Sequence, residues 1–183
     1  MPHHHRHTGH MRIVGGKFAG RDLESPNDSR VRPTAELVRA GMLDRLRDVL
    51  ANARILDLFA GTGALGLEAL SRGAATADFV EMRPSSLHAL KANIVLLRAR
   101  DRTRVFKKDA LPFAAALQAG SYDITFVDPP YESRMLDRVI ETWQRTRFSA
   151  ILVAEHATTH ALPPGARVVR FGETSVSFYG TGR

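Results

Sequence analysis

Short apolar runs alternate with longer amphipathic stretches along most of this chain. The runs predict strands at 55–58, 76–80, 104–106, 122–127 and 150–154. The stretches between them predict helices at 64–72, 84–98, 111–118 and 134–146. This alternation is typical of βαβ units with right-handed crossovers. We therefore expect an α/β fold, with a mainly parallel twisted sheet and helices on both faces.

The pattern changes at both ends of the chain. Two apolar runs, 168–171 and 175–179, flank a Gly-Glu pair and predict a C-terminal antiparallel hairpin. Residues 12–23 alternate apolar and polar side chains around three glycines, which predicts an N-terminal hairpin or irregular strand pair. A helix should begin at Pro33-Thr34, with Thr34 as its N-cap. The apolar side chains expected on its core face are Val38, Met42, Leu46 and Val49.

Composition sets the first ten residues apart. They hold five histidines and are typical of an expression tag, which leaves 173 of the 183 residues for folding. That length suffices for one domain with a substantial core. We expect a basic N-terminal extension over 11–33 and a single domain over 34–183.

Charge and cysteine content narrow the function classes. The formal net charge of +7 favours an acidic partner such as nucleic acid, although a generally basic surface explains it equally well. The absence of cysteine excludes disulfides and thiolate metal sites. No apolar run approaches the length of a membrane span, and no secretory signal follows residue 11. We expect a cytoplasmic protein, with a monomer as the default.

A glycine-rich turn follows the first strand of the predicted sheet. Gly61, Gly63 and Gly66 satisfy G-x-G-x-x-G between that strand and a helix. Glycines let the backbone approach a ligand, and a helix N-terminus favours an anionic group. Glu81 ends the next strand, where a carboxylate can accept from ribose hydroxyls. The order of strand, turn, helix, strand and acid predicts a cofactor that contains a nucleoside.

The segment Val-Asp-Pro-Pro-Tyr at 127–131 ends another strand. Each proline fixes its own φ and biases the preceding residue towards an extended conformation. Asp128 and the Pro129 carbonyl are therefore held stiffly as acceptors beside the ring of Tyr131. This arrangement suits a planar group that carries an NH₂. A rigid strand-to-helix turn is the alternative interpretation.

Two acids distinguish between cofactors that need such a turn. A dinucleotide oxidoreductase needs the same glycines, but Asp57 before the turn suits a cationic amino group better than a pyrophosphate. Asp109, after the third strand, can accept from an adenine amine. No partner for hydride transfer is evident. A sulfonium donor beside an amine-binding motif is chemically consistent, which favours S-adenosylmethionine.

The motifs together resemble a known family. The run DLFAGTGALGLEALSRGA, Glu81, Asp109-Ala110, VDPPY and Arg32-Pro33-Thr34 are similar to those of class I S-adenosylmethionine-dependent methyltransferases. With the RIVGGKFAGR opening and the compact length, they resemble more closely the RsmD family of bacterial 16S rRNA guanine-N2 methyltransferases. The resemblance covers essentially all of the chain from residue 11, and implies a Rossmann-like methyltransferase domain over 34–183.

The resemblance implies roles for two sets of residues. The residues implied to hold the cofactor are Asp57 at its amino group, Phe59, Ala60, Gly61 and Gly63 along its methionine part, Glu81 at the ribose, and Met82, Asp109 and the Ala110 backbone at the adenine. Those implied to hold the target base are Asp128, Pro129 and Tyr131. Relatives often carry phenylalanine at 131, and either ring can stack.

The implied activity is methyl transfer from S-adenosylmethionine to the N2 amine of a single guanine in 16S rRNA, within the 30S subunit or an assembly intermediate. The residues alone leave guanine and adenine open, since an Asp-Pro-Pro-Tyr segment serves an adenine-N6 methyltransferase on DNA or RNA equally well. A non-catalytic, basic nucleic-acid-binding protein would explain the charge but not the acids at the strand ends.

Cationic side chains divide into two groups. An extension before the first strand can fold over the catalytic face, where its cations would contact phosphates. The residues expected to bind RNA are Arg12, Lys17, Arg21, Arg30, Arg32, Arg39 and, after the Asp-Pro-Pro-Tyr segment, Arg134. The arginines of 98–104 connect a helix to a strand at the opposite end of the sheet, so we expect a solvated loop there. His88, His156 and His160 lack metal-ligand spacing, and Trp143 is expected to pack in the core.

Overall fold

A computed structural model describes residues 11–26, 33–130 and 134–180, and within them the chain forms two sheets. The strands are β1 (Met11–Arg12), β2 (Asp22–Leu23), β3 (Arg54–Leu58), β4 (Thr76–Val80), β5 (Thr103–Phe106), β6 (Tyr122–Val127), β7 (Ser149–Ala157), β8 (Arg167–Phe171) and β9 (Thr174–Tyr179). The helices are α1 (Pro33–Arg45), α2 (Arg47–Leu50), α3 (Ala64–Ser71), α4 (Pro84–Leu96), α5 (Ala110–Ala115) and α6 (Met135–Thr146), with a 3₁₀ turn at Arg100–Arg102.

The seven-stranded sheet has the order β5-β4-β3-β6-β7-β9-β8. Strands β3 to β7 pair in parallel, which confirms the predicted α/β class. Strands β8 and β9 form the predicted antiparallel hairpin. In addition, β9 pairs antiparallel with β7, so the last strand inserts between β7 and β8. The sequence did not predict that insertion.

Alternating side chains divide the core between the two faces of the sheet. On β3, Ile55 packs in the cluster that includes side chains of α3 and α4, whereas Leu56 and Leu58 pack in the cluster that includes α5 and α6. Because the period of a strand is two residues, Asp57 turns to the α3 side of the sheet. The same alternation fixes which side each acidic residue takes at the strand ends.

The first helix differs from its prediction. It already includes Pro33, so Thr34 lies inside the first turn and is not the N-cap. The helix ends at Arg45, and Leu46 adopts a turn with φ −99° and ψ 3° before α2. Because of this break, the side chains of α2 do not continue the apolar face of α1, so that Leu50 is buried and Val49 is 45% exposed. The prediction that Val49 faces the core was wrong.

The N-terminal hairpin is anchored on α3. Strands β1 and β2 pair antiparallel, and Ile13, Phe18 and Leu23 join the cluster on the α3 side of the sheet. The fully buried carboxylate of Glu68 accepts hydrogen bonds from the amides of Val14 at 2.8 Å and Gly15 at 2.9 Å. The division into an arm and a domain stays a prediction, since arm and domain share one core.

No helix in the described part of the chain is long and apolar enough to cross a membrane.

Candidate active site

Acidic side chains from four adjacent strands meet at the carboxyl edge of the sheet. Asp57 lies near the end of β3, and Glu81, Asp109 and Asp128 follow β4, β5 and β6. A pocket of about 540 Å³ opens at this edge. Its lining residues are Phe59, Val80, Glu81, Met82, Arg83, Lys108, Asp109, Ala110, Asp128, Pro129, Pro130 and Met135. The structure thus brings together seven of the residues predicted to hold the cofactor or the target base.

The glycine-rich turn leads into α3 with little free space around it. Gly63 is the N-cap of α3 with φ 81°, and a Cβ there would run into Leu90. At Gly66, a Cβ would lie 2.5 Å from Cε1 of Phe79 and 3.3 Å from Oδ2 of Asp57. Only glycine at these positions lets α3 lie this close to β3 and β4. The remaining predicted turn residues, Ala60 and Gly61, complete the loop.

Asp57 is buried beneath this turn, with 2% of its surface exposed. Its Oδ2 accepts a hydrogen bond from the amide of Gly66 at 3.0 Å. Burial raises the pKa of Asp57 to about 8; the Gly66 hydrogen bond opposes that shift, and the charge of Glu81 adds to it. A cationic group placed beside Asp57 would favour the ionised form of this carboxyl group, and its proton would be released.

Glu81 and Asp109 take different positions at the pocket wall. Glu81 is 6% exposed and pairs with Arg83, at 3.3 Å between Oε1 and Nε. Asp109 is exposed and caps α5, because its Oδ1 accepts from the amide of Leu111 at 3.2 Å. Helix α5 begins at Ala110, directly after this cap, and ends at Ala115, so that it is shorter than the predicted 111–118. Met82 is 53% exposed and lines the pocket, so its side chain is accessible to a flat ligand.

Asp128 directly follows β6 and lies at the boundary of the pocket. It is exposed to the pocket, while protein atoms surround it on the other sides. Desolvation by that surrounding raises its pKa well above the usual range, and the charges of Glu155 and Asp57 raise it further. Pro129 lines the pocket beside it. Tyr131 lies outside the described residues, so its predicted stacking role stays a prediction.

The predicted RNA-binding cations do not all face the pocket. Lys17 and Arg21 line a groove of about 460 Å³ together with Leu97, Arg98 and Arg102. Since 97–102 connect α4 to the start of β5, this groove lies at the amino edge of the sheet, opposite the pocket. The arm does not cover the catalytic face at Lys17 and Arg21, because the hairpin turn contacts Ser71, the last residue of α3.

Arg39 was also assigned wrongly. It is only 6% exposed, and its Nε pairs with Oε1 of Glu68 at 3.2 Å. Its Nη2 donates to the carbonyl of Arg12. Arg39 therefore joins α1 to α3 and to the arm, and is not accessible to a phosphate. Arg12 and Arg134 are exposed, and Arg30 and Arg32 lie outside the described residues.

Several pocket residues were not predicted. Arg83, Pro130 and Met135 line the pocket, and so does Lys108, which the sequence left without a role. Pro130 and Lys108 adjoin predicted site residues in sequence, which was the available signal. Arg83 is the N-cap of α4 and Met135 is the first residue of α6. No sequence pattern predicted that their side chains line the pocket.

The lone aromatic and histidine residues are structural. Trp143 is 1% exposed and donates from Nε1 to the carbonyl of Ser149 at 2.8 Å, which confirms its core position. His156 contacts Oγ of Ser177 at 2.8 Å. His160 pairs with Asp137 at 3.2 Å. In the regions that the structure describes, no group of three or more His, Asp or Glu side chains could hold a metal ion.

Comparison with known proteins decides the family. The family model described as "Conserved hypothetical protein 95" matches residues 11–179. Ribosomal RNA small subunit methyltransferase D of Escherichia coli is 37% identical over 163 residues, which cover 87% of this chain and 81% of that protein. This chain belongs to the RsmD family. Membership confirms the predicted class I, S-adenosylmethionine-dependent methyltransferase, and with it the enzyme class.

Solved structures agree with the RsmD assignment. An Escherichia coli protein described as a methyltransferase superposes with a TM-score of 0.79 at 34% identity, covering 93% of this chain and 97% of that one. The 16S rRNA N2 methyltransferase RsmC of Thermus thermophilus, solved with AdoMet and guanosine, has a TM-score of 0.67 at 17% identity. The match covers 93% of this chain and 49% of RsmC, and at that identity it shows the shared fold alone.

Proposed function

We propose that this chain transfers a methyl group from S-adenosylmethionine to the N2 amine of one guanine in 16S rRNA. The observation that carries the proposal is the position of Asp128 and Pro129 on the wall of the pocket that Glu81, Met82 and Asp109 also line. An amine-binding motif and a nucleoside-binding set of acids thus share one cavity. The relative named as a small-subunit rRNA methyltransferase supplies the substrate class.

The pocket residues fit the cofactor. Glu81 offers a buried carboxylate to ribose hydroxyls, while Met82 and Phe59 offer apolar surface to a purine. Asp57 offers a buried anion to an ammonium group. Asp109 and the amide of Ala110, the first residue of α5, offer an acceptor and a donor to the adenine edge.

S-adenosylmethionine, when bound, supplies an electrophilic methyl group on a sulfonium. The residues of this chain hold and activate the amine. The Asp128 carboxylate and the Pro129 carbonyl accept hydrogen bonds from the two N–H groups of the amine. These bonds favour a pyramidal nitrogen whose lone pair points along the line of methyl transfer. Asp128 also stabilises the positive charge that develops on nitrogen, and its raised pKa suits it to take the proton that leaves afterwards.

Tyr131 would stack on the extruded base, and cationic side chains would hold the flanking phosphates. Arg12, Arg134 and the arm residues Arg30 and Arg32 are the proposed cations. We propose a monomer that acts in the cytoplasm on the 30S subunit or an assembly intermediate. Lys17, Arg21 and Arg39 are not part of this RNA contact, for the geometric reasons given above.

Methyl transfer to unmodified 30S particles, followed by nucleoside analysis, tests the proposal. We expect N2-methylguanosine from the native chain and a loss of about 10²- to 10⁴-fold in Asp128→Ala, with S-adenosylhomocysteine still bound. N6-methyladenosine as the product would support the adenine alternative. Full activity of Asp128→Ala would contradict the mechanism.

A further inference from the structure

A second carboxylate lies beside Asp128. Strands β6 and β7 are parallel neighbours, and Val127 at the end of β6 pairs with Ala154. Both of these side chains pack on the α5 and α6 side of the sheet. Asp128, directly after β6, and Glu155, the next residue on β7, therefore turn to the opposite side of the sheet, at strands about 4.8 Å apart.

The electrostatics agree with this placement. The charge of Glu155 raises the pKa of Asp128, as expected for two carboxylates within reach of each other. Burial raises the pKa of Glu155, and the guanidinium of Arg39 opposes that shift and favours its charged form. Asp128 is exposed and Glu155 is half-buried, so a ligand can reach both.

Neither carboxylate has a hydrogen-bond partner among the described residues. This distinguishes the pair from the buried acids Glu68 and Asp57. Glu68 accepts from two amides and two guanidinium groups, and Asp57 accepts from Gly66. Two adjacent acceptors that no donor in 11–26, 33–130 or 134–180 satisfies fit a ligand that presents two adjacent donors.

The cofactor pocket lies on only one flank of Asp128. Its walls come from the ends of β3, β4, β5 and β6 and from the start of α6, and Glu155 is not among the residues that line it. With the cofactor in this pocket, the β7 flank of Asp128, where Glu155 lies, is left for the target base. This step rests on the proposed function, in which Asp128 holds the amine.

The two candidate bases differ at the atom beside the amine. Guanine carries an N1–H next to its N2 amine, so its edge offers adjacent donors. Adenine carries an unprotonated N1 next to its N6 amine, and that nitrogen is an acceptor. A carboxylate beside the amine site accepts from the first and repels the second.

We propose that Glu155 reads the N1–H of the target guanine, and thereby makes the enzyme select guanine over a base with an acceptor at that position. Asp128 and Pro129 can hold the amine of either guanine or adenine, whereas Glu155 distinguishes between the two bases. The charge of Arg39, which is buried against Glu68, favours the ionised form of Glu155, the form that accepts from N1–H.

2-Aminopurine tests this assignment, because it keeps the N2 amine and replaces N1–H by an acceptor. The substrates are 30S subunits reconstituted from unmodified 16S rRNA with guanine or 2-aminopurine ligated at the mapped target position. We expect the native enzyme to prefer guanine by about 10- to 100-fold in kcat/KM. Glu155→Gln, whose amide can donate to N1, should reduce that preference at least about tenfold.

Two controls separate specificity from stability. Glu173→Gln makes the same chemical change in the exposed turn between β8 and β9 and should leave the preference unchanged. Glu155→Asp keeps a carboxylate and should lower kcat/KM on guanine while retaining the sign of the preference. It also decides the matter if Glu155→Gln unfolds, since unchanged kcat/KM in Glu155→Asp would overturn the assignment.

An unaltered guanine preference in folded Glu155→Gln, with unchanged binding of S-adenosylhomocysteine, would also overturn it. The proposed function fails by a different result, namely that the native enzyme forms no N2-methylguanosine on either particle.

Discussion

The amide of Gly66 donates a hydrogen bond to Oδ2 of Asp57 at 3.0 Å, so the first turns of α3 hold the carboxyl group that nearly ends β3. This hydrogen bond is the only one that Asp57 accepts in the described part of the chain. It does not offset the loss of water around a group that is 2% exposed, and the pKa of Asp57 stays at about 8. The site that should receive an ammonium group is therefore largely protonated at neutral pH.

Cofactor binding should release this proton. An ammonium beside Asp57 favours its ionised form, so below pH 8 affinity for S-adenosylhomocysteine should rise with pH by up to about tenfold per unit. Calorimetry at neutral pH in buffers of different ionisation enthalpy measures the released proton. Asp57→Asn should bind more weakly and release none. Equal binding heats in all buffers for the native chain would contradict the role of Asp57.

The same group should shape stability against pH in the ligand-free protein. The folded-state pKa of Asp57 lies above its unfolded value, so the folded state holds a proton that the unfolded state releases. The stability this contributes is fully present below the unfolded pKa near 4 and is lost as pH rises to about 8. Relative to Asp57→Asn, the native unfolding free energy should fall by up to about 1.4 kcal/mol per pH unit in that window. Urea titrations of both proteins at several pH values measure the difference, and parallel curves would contradict it.

The succession of strands and helices along the chain and the acidic edge of the sheet could be predicted because each depends on local pattern. Asp57, Glu81, Asp109 and Asp128 each follow an apolar run, and parallel strands bring such ends together. The arm could not be placed in this way. Its path depends on Glu68, a charged residue within an apolar helix, and nothing in a periodic pattern shows which partners such a residue finds. Likewise, Leu46 ends α1 by a turn that hydrophobic spacing does not reveal, and this placed Val49 wrongly.

Replacing Gly66 by alanine should destabilise the fold through one contact. The new Cβ would lie 2.5 Å from Cε1 of the fully buried Phe79. We expect a loss of about 1–3 kcal/mol in the unfolding free energy, together with weaker cofactor binding. A double-mutant cycle with Phe79→Leu checks the cause, since the smaller side chain should relieve the clash. Purely additive effects would show that the strain lies elsewhere.

Glu68 should be the residue that ties the arm to α3. Its carboxylate is fully buried and accepts from the amides of Val14 and Gly15 and from the guanidinium groups of Arg39 and Arg72. In Glu68→Gln, an amide NH₂ would face donors, so we expect a loss of about 3–5 kcal/mol and faster hydrogen exchange at Val14 and Gly15.

Asp44→Asn is the matched control for Glu68→Gln. Asp44 pairs with the same Arg72 at 2.7 Å, but its side chain is 54% exposed. The control should cost no more than about 1 kcal/mol. Comparable losses in the two variants would contradict the importance of burial at Glu68.

RNA binding should depend on where a cation lies along the arm. Lys17 and Arg21 line the groove at the amino edge of the sheet, opposite the pocket, whereas Arg30 and Arg32 immediately precede α1. Arg30→Gln with Arg32→Gln should weaken binding to 30S particles and flatten the log–log salt dependence by about 0.7–0.9 per lost phosphate contact. Lys17→Gln with Arg21→Gln removes the same charge and should leave that slope unchanged. Filter binding across a salt series measures both, and an equal flattening in the two double variants would show that long-range charge, and not a contact near the active site, holds the RNA.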